Sequence, residues 1–194
     1  MARAQRCDAR RNRERLLDVA SEVFTARGVD APLEEIARTA CVGIGTLYRH
    51  FPTRDALIEA VYRHNVDQLI AAADELRASL PADEALAQWM QRFVGYVSSK
   101  KGLAPYLKSV VSADSDLFTS AHERVQETIS GLVDAATAEG SIRAGVDGMD
   151  LLRALSGFCL MNDPNADPEQ GGKVAGLLMD GLRYGAPHRV AAHQ

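Results

Sequence analysis

Between Gly43 and Arg54 the chain sets a glycine-rich tip beside long hydrogen-bond donors: Gly43, Ile44, Gly45 and Thr46 first, then Tyr48, Arg49, His50 and Arg54. The first group leaves a backbone bare enough to approach another molecule closely. The second carries donors suited to phosphate oxygens or a guanine edge. Other chemistry is poorly supplied. No Ser/His/Asp spacing, phosphate loop, HExxH or paired-carboxylate helix occurs, which argues against an enzyme. Gly43-Ile44-Gly45 hints at a dinucleotide fingerprint, but no strand precedes it and Tyr48 stands where the third glycine belongs. His50 has no Cys or His at ligand spacing, and Cys7, Cys41 and Cys159 form neither a metal spacing nor a disulfide framework. Neither metal nor cofactor is expected.

Residues of this kind act only when elements hold them, and the apolar periodicity predicts helices almost throughout. One runs from Leu16 to Arg27 and stops at Gly28; a short one spans Leu33 to Ala40, and another Ile44 to Phe51, closed by Pro52. Thr53 can cap a long fourth helix reaching Leu80. A fifth starts near Ala82 and is expected to stop at Lys100-Lys101-Gly102, with a separate short helix over 104–111. Leu117 to Ala136 marks the next, ended by Gly140. Asp147 can cap a helix to Met161, residues 162–172 read as a loop, and a last helix ends near Tyr184. No segment alternates with the strand period. The expected architecture is all-α: a three-helix head in residues 1–55 and a bundle of about six helices in 56–194.

Two short helices separated by a tight turn form a helix-turn-helix, whose second helix enters the major groove while the first spans the backbone. The charge distribution agrees. The 194 residues carry a net charge of −4, yet Arg3, Arg6, Arg10, Arg11, Arg13 and Arg15 face only Asp8 and Glu14. Such a basic start serves a phosphate backbone or an anionic membrane surface, unless it is simply a solvated tail. With 46% hydrophobic and 25% charged residues, the chain suits a globular domain rather than disorder. No apolar run reaches membrane-spanning length, no signal peptide is visible, and the odd thiol count fits a reducing cytoplasm.

The stretch from Gly28 through Ile36-Ala37, Gly45-Thr46-Leu47-Tyr48 and His50-Phe51 to Arg54-Asp55-Ala56-Leu57 resembles the signature of the TetR family of bacterial repressors. Leu16-Leu17-Asp18-Val19-Ala20 with Phe24 is similar to that family's first helix. The resemblance implies a homodimer reading a palindromic operator on double-stranded DNA, released when a small molecule binds. Carried over by position, Gly45 and Thr46 face bases, Tyr48 and His50 hold phosphates, and Arg54 anchors the backbone. Three residues depart from the pattern: Pro32 replaces a threonine, Cys41 a turn glycine, and Ile44 a polar residue. Ile44 favours a thymine methyl over guanine. An apolar or amphipathic ligand is expected among Trp89, Phe93, Tyr96, Tyr106, Phe118, His122 and Phe158, with Met90 and Met161 nearby. The last two helices, with Gly157, Ala175, Gly176 and Gly181, are the expected dimer face, making a four-helix bundle. A helical adaptor or membrane-surface protein, or an enzyme without a DNA role, is the competing reading.

Overall fold

The computed structural model describes residues 2–111, 116–161 and 169–186. The side chains of 2–8, 101, 104, 105, 108–111, 116–118, 160, 161 and 169 lie outside that description. Every regular element among the described residues is an α-helix: α1 (Ala2–Arg27), α2 (Leu33–Thr39), α3 (Ile44–His50), α4 (Arg54–Ser79), α5 (Ala82–Val111), α6 (Asp116–Ala138), α7 (Gly148–Met161) and α8 (Glu169–Arg183). The chain divides into two compact units, one made of residues 1–65 and 98–115, the other of 66–97 and 116–194.

In the first unit α1, α2 and α3 pack pairwise. Leu16, Leu17, Ala20 and Phe24 of α1, Ile36 and Ala37 of α2, Leu47 of α3, and Leu57, Ile58 and Val61 of α4 are all buried away from water and form the core of this unit. The helix ends follow local chemistry. Gly28 adopts φ +80° and its N–H donates to the Phe24 carbonyl at 2.9 Å, closing α1 as a left-handed cap. Thr53 Oγ1 accepts from the Ala56 N–H at 3.1 Å and starts α4.

Two expectations need correcting here. α1 begins at Ala2 rather than Leu16, so the arginine-rich start is helical backbone and not a loose tail. Helix α5 runs unbroken through Gly102 to Val111, in place of the expected stop and separate short helix. The glycine is there for proximity. A Cβ at position 102 would stand 2.0 Å from the Phe24 carbonyl oxygen, so only glycine lets α5 lie this close to α1.

Around that close approach lies a polar seam. Ser21 Oγ donates to Asn65 Oδ1 at 3.1 Å, and the His64 ring meets Asp18 at 2.7 Å. Lys100 Nζ stands 5.3 Å from the Tyr62 ring centroid, and burial lowers its pKa from 10.5 to about 8. Between those values the unfolded chain holds a proton that the folded one has lost. Stability therefore rises from pH 8 toward 10.5, and the full penalty applies below pH 8. The penalty is on the order of 3 kcal/mol at about 1.4 kcal/mol per tenfold change. Tyr106, whose pKa is raised by burial and then by Asp55 and Glu59, works the other way above pH 10. Chemical denaturation of Lys100→Met at pH 7 and pH 9 is expected to show higher stability at pH 7 and a flattened rise between them.

In the second unit Trp89 is wholly buried, and its indole N–H donates to the Leu69 carbonyl at 2.9 Å. Asp147 Oδ1 accepts from the Met149 N–H at 2.8 Å, the cap expected for α7. α8 starts at Glu169, inside the segment expected to be a loop; residues 162–168 lie outside the described ones. Arg183 donates through Nε and Nη2 to Asp83 Oδ2 at 2.7 and 2.6 Å, tying the end of α8 to the start of α5.

Candidate nucleic-acid interface

The turn between α2 and α3 is a Schellman cap. The Val42 N–H donates to the Ala37 carbonyl at 2.9 Å and the Cys41 N–H to the Arg38 carbonyl at 3.1 Å. That geometry requires a left-handed residue, and Cys41 takes it with φ 55°. Cysteine carries a Cβ penalty there that glycine avoids. Thermal unfolding of Cys41→Gly is therefore expected to show about 1 kcal/mol of added stability. An unchanged melting temperature would count against the strain.

Leu47, fully buried, is the anchor of α3 and fixes which face looks outward. Gly43 is the N-cap in an extended conformation at φ −69°, and no side chain caps it. A Cβ at Gly43 or Gly45 would meet nothing within 4 Å among the described residues. Ile44 and Tyr48 are 37% and 44% exposed, large values for such residues, and Arg49 is exposed beside them. Thr46 and His50 are half-buried, the latter tilted against Phe51 at 6.2 Å between centroids. The residues from Gly43 to Arg49 thus hold a bare tip, one apolar side chain and flanking donors on one short helix.

Arg54 is placed differently from its companions. Its Nη1 donates to the carbonyls of Val29 and Ala31 at 2.6 and 2.7 Å, which clamps the loop between α1 and α2 to the start of α4. Among the N-terminal arginines, Arg13 is the one that meets the end of α3. Its guanidinium lies 5.3 Å from the centroid of Phe51, the residue that caps α3. The sequence marks the basic start as a whole, and nothing in it separates Arg13 from its neighbours.

The residues expected to line a ligand site are only partly gathered. Trp89 and Phe93 stack at 5.6 Å between centroids, and Phe93 and Tyr96 meet at 5.9 Å, a buried row along α5. Phe158 is half-buried and His122 exposed, both in the second unit. Tyr106 belongs to the first unit, near Lys100 in sequence, and the Phe118 side chain is outside the described residues. Among the described residues no helix is long and apolar enough to cross a membrane.

A core-anchored short helix presented after a tight turn is the geometry of a helix-turn-helix, the DNA-reading unit of many transcriptional regulators. Comparison with known proteins is specific about which kind. Residues 16–61 match the model for bacterial regulatory proteins of the tetR family, and residues 81–184 match the C-terminal domain of SbtR-like transcriptional regulators. The crystal structure of a TetR transcriptional regulator from Streptomyces coelicolor is 42% identical, with a TM-score of 0.81 over 88% of this chain and 98% of that one. Another, from Mycobacterium vanbaalenii, is 34% identical with a TM-score of 0.73 over 92% and 99%. A curated transcriptional repressor of Rhodococcus jostii, KstR2, is 26% identical over 70% of each chain. Two curated Pseudomonas putida regulators, TtgW and SrpR, are 45% identical over 62 residues, and the match spans only 46% and 29% of their lengths. The chain belongs to the TetR family of bacterial transcriptional regulators.

Proposed function

We propose that this regulator is a cytoplasmic, non-enzymatic homodimeric repressor that holds a palindromic operator and lets go when a small apolar or amphipathic molecule binds. Residues 1–55 form the DNA-binding domain, and residues 56–194 the ligand-binding and dimerisation domain. The observation that carries this is the exposed tip of α3, with open space where Gly43 and Gly45 lack a Cβ and Leu47 locked beneath. Gly43, Ile44, Gly45 and Thr46 approach base edges, while Tyr48, Arg49 and His50 reach phosphates. Arg54 acts through its clamp on the loop ahead of α2 as a positioning residue.

Two copies are needed because one short helix touches too few bases; heads about 34 Å apart fit successive major grooves. The exposed Leu177 and Tyr184 on and just after α8, with open space beside Gly176 and Gly181, support α7 and α8 as the face between protomers. Ligand binding falls to Trp89, Phe93, Tyr96, Phe158 and His122, with Tyr106 and Phe118 also candidates. A ligand favouring the DNA-incompetent state by about 3 kcal/mol changes occupancy roughly a hundredfold.

Titration against the protein's own upstream DNA at several salt concentrations tests the reading. Specific binding should exceed binding to scrambled DNA about a thousandfold, and equal binding rejects it. Ile44 offers a finer probe. Replacing a contacted thymine by uracil removes only a methyl, worth about 0.8 kcal/mol, so affinity should fall about fourfold. Ile44→Ala should bind both duplexes alike.

A further inference from the structure

We infer that α1 is a second DNA-binding element, an arginine-bearing helical rod that lies along phosphates outside the half-site read by α3. This rests on the operator-binding reading above and adds a partner for residues that reading leaves idle.

The first observation is register. Because α1 is helical from Ala2, positions 3, 6, 10 and 13 follow one another at intervals of three, four and three, and share one face. Arg10, Arg11, Arg13 and Arg15 are exposed. Glu14 meets Arg10 at 3.6 Å in a solvated pair that neutralises little.

The second observation is position. Arg13 lies over Phe51, so this face emerges beside the end of α3 that carries Arg49 and His50. Those are donors assigned to phosphates, and Arg13 brings the basic face next to them. From Arg13 back to Ala2 a helix rising about 1.5 Å per residue covers roughly 17 Å, the length of about five base pairs.

The third observation is that the arrangement is unfavourable for the protein alone. Like charges three and four apart repel, and cations at a helix start oppose its dipole. The first turn of α1 holds no acidic residue to offset them. A polyanion along this face removes both penalties. A rod, unlike a loose arm, delivers its charges without first ordering a chain.

The test uses the full-length protein and two operator duplexes, one ending about two base pairs beyond the half-sites and one about ten beyond. The wild type should bind the longer duplex about fivefold more tightly, with a steeper dependence on salt. A variant combining Arg3→Gln, Arg6→Gln and Arg10→Gln should lose that flank preference. Its log–log salt slope should fall by about 0.9 for each phosphate it no longer neutralises, by two or more in all. The matching Arg3→Lys, Arg6→Lys, Arg10→Lys protein should keep most of the slope, which separates missing charge from a damaged helix. Equal slopes for wild type and glutamine variant, or indifference of the wild type to flank length, would overturn the inference. So would an unchanged DNA slope in the glutamine variant accompanied by loss of binding to phosphatidylserine vesicles, which would give the rod to a membrane surface. Wild type that fails to prefer operator over scrambled DNA on the longer duplex overturns the operator reading itself.

Discussion

Gly45→Leu is expected to lower operator affinity about a hundredfold while leaving the protein as stable as before or more so. The two effects have separate causes. Nothing among the described residues lies within 4 Å of a Cβ at this position, and the residue sits inside a regular helix. Replacing a helical glycine with leucine removes a propensity penalty of up to about 1 kcal/mol. On the DNA side the groove, about 12 Å wide, has just enough room for a helix. A new isobutyl group on the outward face forces α3 back from the base edges. Breaking two base-edge interactions worth about 1–3 kcal/mol each corresponds to the hundredfold drop. Operator titration and thermal unfolding on the same sample check both halves. Affinity retained within threefold would mean that position 45 does not face DNA.

Gly102→Ala should do the reverse, striking the fold before the function. The added Cβ would stand 2.0 Å from the Phe24 oxygen, 2.7 Å from its carbonyl carbon and 2.9 Å from the Thr25 Cα. All three are backbone atoms, so no rotamer change relieves the overlap, and α5 must retreat from α1. That retreat loosens Leu103, which is fully buried, and stretches the Asn65–Ser99 hydrogen bond, already 3.5 Å long. Overpacking of this kind costs roughly 2–3 kcal/mol even after alanine's better helix propensity. At about 2–4 °C per kcal/mol for a protein of this size, a drop of roughly 5–10 °C is expected in a thermal melt. An unaltered melting temperature would show that the two helices do not touch in solution.

How much of the fold and of the DNA-facing site is legible in the residues alone depends on the range of the interaction. Thr53 and Asp147 cap helices with their own side chains within three residues, and both read as caps from their neighbours. Phe51 follows Leu47 by four, Phe24 follows Ala20 by four and Ile36 follows Leu33 by three, and all six are core. Gly102 misleads because glycine after two lysines looks like a helix stop; what separates a stop from a close approach is a partner, Phe24, seventy-eight positions away in the sequence. Arg54 misleads in a similar way. A long donor just past the recognition helix suits a phosphate, and only the fold reveals the Val29 and Ala31 carbonyls within its reach. The aromatic row Trp89, Phe93 and Tyr96 follows from spacing along one helix, whereas placing His122 and Tyr106 requires long-range packing that periodicity does not encode.

The chain contains a single tryptophan, and it is the wholly buried Trp89 of the second unit. The first unit holds Tyr48, Tyr62 and Tyr106 but no indole. Light emitted on excitation at the red edge of protein absorption therefore reports on one half of the molecule alone. Paired with a backbone signal dominated by helix content, it can time the melting of each half separately, without any label being attached.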